Sequence, residues 1–219
     1  AASDVYKRQT LFSKKPFVGA TMAISSHLTL LTGIAGINVY IVRILKLPFD
    51  ISLHFYFFFF VGVIITGILK MFFYSSVGAG FLGTLGSSAL LYVSIHWIIL
   101  GNTINIPLLY IQGLLLGFGA SMTLVSGSMA TLLDGDLKKA AQRSQTMHTI
   151  RNFSAAMLIP IIAYTIKNHI QKGTQSIYAE NITDKMIYLK KLQDVAIDAD
   201  HQIFLLLIIF NMVMFVSSI

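Results

Sequence analysis

Long apolar stretches without charge are the feature that most limits what this chain can fold into. A bilayer core about 30 Å thick is crossed by roughly 20 helical residues at 1.5 Å each. Six stretches near this length are bounded by charge, Pro or Gly, namely 17–42, 51–68, 77–100, 106–133, 150–170 and 203–219. Because lipid offers no hydrogen-bond partner to a peptide group, such stretches cross as helices. The sequence therefore predicts an all-α integral membrane protein.

The composition excludes an ordinary soluble enzyme. Of the 219 residues, 55% are hydrophobic and only 11% are charged, whereas a soluble domain is about a quarter charged. The chain has no Cys, which excludes disulfides, thiolate metal sites and cysteine catalysis. The six His residues show no metal-site spacing, and the sequence has neither a catalytic triad nor a Gly-rich phosphate loop. We expect no enzyme activity, no metal and no cofactor.

The fifth stretch is the weakest of the six. Its uncharged part between Arg151 and Lys167 is short, and Pro160 lies inside it. We expect these two basic side chains to snorkel towards the membrane surfaces, or this helix to be partly shielded by protein.

Basic residues in short loops predict the orientation, because Lys and Arg favour the cytoplasmic side. If the first span starts inside, the inner segments hold Lys14, Lys15, Lys70, Lys138, Lys139, Arg143 and Arg151. The outer short loops hold only Arg43 and Lys46. The start of the first span is therefore predicted to be cytoplasmic, with a long outer loop over 171–202. Within that loop, the apolar spacing of 182–196 fits either a short surface helix or an irregular loop.

The first nine residues do not read as natural sequence. Asp4-Val5-Tyr6-Lys7-Arg8-Gln9 corresponds to one reading frame of a transposon end used to prepare sequencing libraries. Residues 1–9 are therefore predicted to be a sequencing-adapter scar, which carries no information on the fold. The natural sequence is then the C-terminal transmembrane part over 10–219, and we expect it to be a fragment of a longer protein.

Two faces of the first span carry polar groups. Small and polar residues recur every three or four positions, at Thr21, Ser25, Thr29, Thr32 and Gly36. Helix packing explains this stripe better than a water-lined pathway does. His27 and Asn38 lie on another side of the same helix, which indicates a place inside a bundle or beside a cavity. Together with Gln112 of the fourth span, they are candidates for lining a substrate pathway.

Small residues at four-residue spacing mark two other spans. The third span has Gly83 and Ser87, and the fourth has Gly113, Gly117 and Ser121. Such small residues let helix backbones approach closely in a membrane. These five positions are predicted to be helix-packing sites.

No Asp or Glu lies within the six predicted spans, and Asp50 is at the outer mouth of the second. A proton-coupled membrane protein usually has a carboxylate at membrane depth. If this protein is proton-coupled, either the coupling acid lies in another part of the protein or His27 takes its place.

Three segments and a loop together resemble a known family. A basic segment over 13–17 leads into the first span, Ile111-Gln112-Gly113 opens a Gly-rich helix, and a small-residue run over 140–156 contains Arg151. A long outer loop then precedes the last span. In this order, these features resemble the C-terminal half of a major facilitator superfamily transporter, in the 14-span EmrB/QacA-type drug and proton antiporter branch.

The resemblance implies a six-helix half of the two-half bundle and a multi-pass protein of the bacterial inner membrane. It implies efflux of small amphipathic compounds driven by the proton gradient, with Arg151 as a cytoplasmic gate or anchor. The implied partners are the lipid bilayer, the substrate, an N-terminal half of the same chain and a periplasmic adaptor protein, with no nucleic acid. For each pathway or gate candidate, a packing or interfacial role remains an alternative.

Two other functions remain open from the sequence. One is a transporter of the same superfamily that imports a nutrient or a siderophore. The other is a multi-span membrane protein that does not transport, such as an assembly or sensory subunit.

Overall fold

The computed structural model describes residues 14–101, 103–134, 136–180 and 184–219. The predicted scar over 1–9 lies outside these residues. All regular elements of the described part are helical. They are α1 (Lys14–Asn38) with a π-helical turn (Val39–Ile44), α2 (Phe49–Ile98), α3 (Ile106–Leu133), a 3₁₀ turn (Leu137–Lys139), α4 (Ala140–Ala179) and α5 (Lys185–Ser218). The predicted all-α class is confirmed for the described residues. Five helices are long and apolar enough to cross a membrane, where the sequence predicted six spans.

The helix α2 is folded back on itself at Gly78. This residue has φ 75° and ψ 173°, a backbone conformation that glycine adopts without a steric penalty. The first arm, 49–77, and the second arm, 79–98, correspond to the predicted second and third spans. The inner loop predicted between those spans is instead helical as far as Gly78.

Contacts with α3 show that the two arms of α2 run in opposite directions. In the first arm, the Thr66 hydroxyl donates to the Phe118 carbonyl, 3.0 Å away, and Lys70 further along reaches the Ser121 carbonyl at 3.0 Å. In the second arm the order is reversed, because Trp97 near its end donates to Gln112 near the start of α3. The two arms of α2 therefore lie antiparallel to each other, and α3 packs along both.

The helix α1 runs antiparallel to α3. Gly19, near the start of α1, lies against the backbone of Gly127, and the Ser26 hydroxyl donates to the Ala120 carbonyl at 2.9 Å. The helix α1 also runs antiparallel to α5. Thr29 bonds Asn211, whereas Gly36, which comes later in α1, packs on Phe204, which comes earlier in α5. The chain thus alternates in direction through α1, the two arms of α2, α3, α4 and α5.

This alternation gives the bundle two ends. The Gly78 end holds the start of α1, the reversal of α2 and the end of α3. The Arg43 end holds the π-helical turn after α1, the start of α2 and the start of α3. If the sequence-based orientation is right, the Gly78 end is cytoplasmic.

The stretch predicted as an outer loop, 171–202, is mostly helical in the structure, and over 185–196 this agrees with the predicted alternative of a helix. Its described residues are helical, because α4 continues to Ala179 and α5 begins at Lys185. These extensions pair beyond the Arg43 end, where Gly173 packs against Val195 and Lys191 forms an ion pair with Glu180. At 1.5 Å per residue the 40 residues of α4 reach about 60 Å, roughly twice the bilayer core. We call the paired segments 171–180 and 184–196 the helical hairpin.

The distribution of side chains is that of a protein whose outer surface meets lipid. Large apolar side chains of the first α2 arm are exposed, including Phe57 at 62% and Ile64 at 62%. Hydroxyl and amide side chains such as Thr29, Ser94 and Asn211 are fully buried. The three named polar side chains are hydrogen-bonded to one another inside the bundle, and the apolar groups lie outside, as a bilayer solvent requires.

Candidate functional site

The three predicted pathway residues do not converge on one cavity. The Gln112 side chain is 1% exposed, and its Oε1 accepts a hydrogen bond from Trp97 Nε1 at 2.9 Å. Asn38 Nδ2 donates to the Tyr56 hydroxyl. Both lie near the Arg43 end, where Tyr56 and Trp97 each contact the ring of Phe55. His27 is half-buried and lies about 16 Å along α1 from Asn38.

Arg151 lies within α4 and close to His27 of α1. It is eleven positions into α4, which begins at Ala140, and its guanidinium interacts electrostatically with the His27 ring. The Arg151 Nε atom is buried, and no described residue bonds it. The structure thus places these two predicted residues together at the α1–α4 contact.

The basic residue that anchors α4 to the bundle is Arg143. It is 1% exposed and donates to the carbonyl oxygens of Thr131 and Leu132, each at 2.8 Å, and of Asp136 at 2.9 Å. The last carbonyls of a helix have no partner within that helix, so Arg143 satisfies the end of α3. Sequence reasoning counted Arg143 among the inner charges and missed this contact.

The predicted packing positions lie on helix contacts. A Cβ atom on Gly113 would be 2.8 Å from the Phe55 carbonyl oxygen, and one on Gly117 would overlap the Phe59 backbone. Gly83 lies against the sulfur of Met22, where a Cβ would be 2.6 Å away.

The two predicted serines in the packing set are placed differently. Ser87 is fully buried and donates to the Thr84 carbonyl at 3.1 Å. Ser121 is half-buried, and its carbonyl receives the Lys70 ammonium.

Asn211 links three segments through one side chain. Its Nδ2 donates to the Leu90 carbonyl and to Ser94 Oγ, each at 3.1 Å, and its Oδ1 accepts from Thr29 Oγ1 at 2.9 Å. The residue is fully buried. Its three bonds tie α5 to the second arm of α2 and to α1.

The carboxylate of Asp200 is the most unusual group in the described part of the chain. It is 1% exposed within α5, and neither of its oxygens has a hydrogen-bond partner among the described residues. Asp200 lies three residues upstream of the predicted span 203–219, so the search for an acid within the predicted spans did not include it. The structure places it inside the continuous helix α5.

Asp200 lines a cavity of about 260 Å³ at the Arg43 end. The cavity wall is mostly apolar and comes from three elements, namely Val39 and Ile44 of the π-helical turn, Ile166 and Ile170 of α4, and Ala196 of α5. The same wall includes the cation of Arg43. The Tyr40 side chain is close enough to interact electrostatically with Asp200. We call this the Asp200 cavity.

The chemistry open to such a group is limited. An ionised carboxylate without a partner in an apolar cavity costs several kcal/mol. The group therefore either holds a proton or faces a cation, such as the Arg43 guanidinium or a positively charged ligand. The Asp200 cavity is thus suited to holding a proton in one state and a positively charged group in another.

Comparisons with protein-family models, with curated proteins and with solved structures gave no match to this chain.

Proposed function

We propose that this chain is one half of a proton-coupled efflux transporter, similar in plan to the C-terminal half of a major facilitator superfamily drug antiporter. In this proposal α1, the two arms of α2, α3, α4 and α5 are its six crossings. The transporter lies in a bacterial inner membrane, with the Gly78 end cytoplasmic. It expels small amphipathic compounds, and an N-terminal half of the protein completes the pathway.

The observation that carries this proposal is the unpartnered buried carboxylate of Asp200. Ionisable residues inside a membrane bundle are costly, and they mark proton relays and substrate pathways. A protein that served only as a scaffold would gain nothing from keeping Asp200 inside an apolar wall. The same observation argues against a non-transport role.

Asp200 would act by gaining and losing one proton as the bundle rocks. At the Arg43 end, which the proposal places outside, the carboxyl group takes up a proton and becomes neutral. Its neutral form suits the closed, apolar cavity. When the cavity opens to the inside, the proton leaves, and the ionised carboxylate is then balanced by Arg43 or by a cationic substrate.

The test uses the full-length transporter, expressed in bacteria that lack their own efflux pumps. Everted membrane vesicles are made acidic inside, and uptake of a fluorescent amphipathic cation added outside is followed, because efflux in the cell corresponds to uptake in an everted vesicle. Asp200→Asn should abolish gradient-driven movement but preserve exchange of labelled for unlabelled substrate, because exchange needs no net proton transfer. Asp200→Glu should retain part of the driven transport.

Asp198→Asn is the matched control, because it removes an exposed carboxylate two positions away on the same helix. It should leave both activities unchanged. Driven transport that survives Asp200→Asn would refute the role of Asp200, and absence of any transport by the intact protein would refute the function. The direction of gradient-driven movement separates an exporter from an importer.

A further inference from the structure

A second cavity at the Arg43 end lies between the α1–α2 connection and the helical hairpin. It is an open groove of about 620 Å³. One wall is formed by residues 43–46, and the other by residues of α5 between Met186 and Ala196. Gln193 Nε2 lies 3.5 Å from the Ile44 carbonyl and joins the two walls. We call it the basic groove.

Three cations line the basic groove, and no carboxylate lines it. They are Arg43, Lys46 and Lys190, all exposed. None of the three forms an ion pair or a hydrogen bond with another residue in the described part of the chain. The neighbouring Lys191, in contrast, is already paired with Glu180. The groove therefore presents unneutralised positive charge, which is complementary to an anionic group.

The backbone of the first wall is held in an uncommon conformation. Lys46 has φ 51°, the only positive φ of a non-glycine residue in the described ranges. Arg43 belongs to a π-helical turn, a feature found often at functional sites. Strained or irregular backbone persists only where the surrounding structure enforces it. Here it brings Arg43 and Lys46 to one wall, facing Lys190.

The floor of the groove is apolar, and its position matches the membrane surface. Ile44, Leu45 and Leu192 supply apolar surface between the cations. Arg43 is the first charged residue after Lys15 along α1, so it lies where the uncharged crossing ends. A ligand here meets positive charge and apolar surface together, as a phospholipid does at the level of its headgroup. A soluble phosphate would use only the cations.

We propose that the basic groove binds an anionic phospholipid, with the headgroup phosphate among Arg43, Lys46 and Lys190 and the glycerol backbone and first acyl carbons on the apolar floor. The site requires only the membrane fold. It shares Arg43 with the Asp200 cavity, whereas Lys46 and Lys190 do not line that cavity. It would fix the helical hairpin against the end of α1.

The test measures lipid binding to the purified chain by native mass spectrometry. The chain is released from neutral detergent with equal amounts of dioleoyl phosphatidylglycerol and dioleoyl phosphatidylcholine. The unmodified chain should retain phosphatidylglycerol selectively. Substituting all three groove cations with Gln should lower its affinity by about fivefold per charge, roughly a hundredfold in total. Phosphatidylcholine binding should not change.

The matched control replaces three exposed lysines outside the groove, Lys167, Lys172 and Lys185, with Gln. It removes the same net charge and should retain selective binding. Equal losses in both triple variants would overturn the proposal in favour of diffuse surface charge, and no loss in the groove variant would also overturn it. Full displacement of the lipid by millimolar glycerol phosphate would overturn the lipid as occupant.

If the triple groove variant fails to fold, as judged by Trp97 fluorescence, the single variants Lys190→Gln and Lys185→Gln replace the triple ones. Both positions are exposed on the same helix. A fivefold loss in Lys190→Gln alone supports the groove, and equal affinities refute it.

Discussion

Replacing Asn211 by Leu should destabilise the bundle by about 2 kcal/mol. The substitution keeps a similar side-chain volume, so the main loss is the set of three hydrogen bonds to Thr29, Leu90 and Ser94. Hydrogen bonds between membrane helices are worth on average about 0.6 kcal/mol each. Leaving the Thr29 and Ser94 hydroxyls without Asn211 costs little additional free energy, because Ser and Thr hydroxyls can bond carbonyls within their own helix. Three bonds thus give about 2 kcal/mol, or roughly a thirtyfold change in the unfolding equilibrium.

The assay is equilibrium unfolding in mixed micelles of a mild detergent and dodecyl sulfate. Trp97 is the only Trp in the chain, and its ring centroid lies 5.4 Å from that of Phe204 in the core. Its fluorescence therefore reports loss of packing without an added label. Asn152→Leu is the control, since it makes the same chemical change at an exposed position of α4. The reasoning is refuted if Asn211→Leu shifts stability by less than about 0.5 kcal/mol, or if the control shifts it equally.

Three further outcomes follow from contacts and from the predicted orientation. Gly117→Ala should destabilise the same unfolding equilibrium by about 1 to 3 kcal/mol, because its Cβ would overlap the Phe59 backbone. Gly67→Ala, with open space around the Cβ, should be neutral or stabilising in that assay. Arg143→Gln should free the end of α3 and speed amide hydrogen exchange around Thr131, whereas unchanged exchange would argue against anchoring. A Cys introduced at Gln175 should react with an impermeant thiol reagent in intact cells and one at Gln142 should not; the reverse labelling would overturn the topology.

Hydropathy predicted the apolar parts of the helices well and the extensions of those helices poorly, for one physical reason. The span predicted over 106–133 has the same limits as α3, because Pro107 and Asn105 start the helix and Asp134 follows its end. In α4 and α5 the helices continue beyond the apolar stretches, through residues with many charges. An apolar run reports only where lipid solvates a helix. It carries no information on a helical hairpin that is stabilised by its own side-chain contacts.

The omission of Asp200 has a more specific cause. The predicted last span began at the first long uncharged stretch, so the acid just before it was assigned to a loop. The buried positions of α5 form one stripe at spacings of three and four, through Ile197, Asp200, Phe204, Leu207 and Asn211. Such spacing marks one face of a helix. Extending that face upstream from Asn211 by periodicity alone places Asp200 inside the bundle. A carboxylate on the buried face of a membrane helix is a functional-site candidate before any coordinates are known.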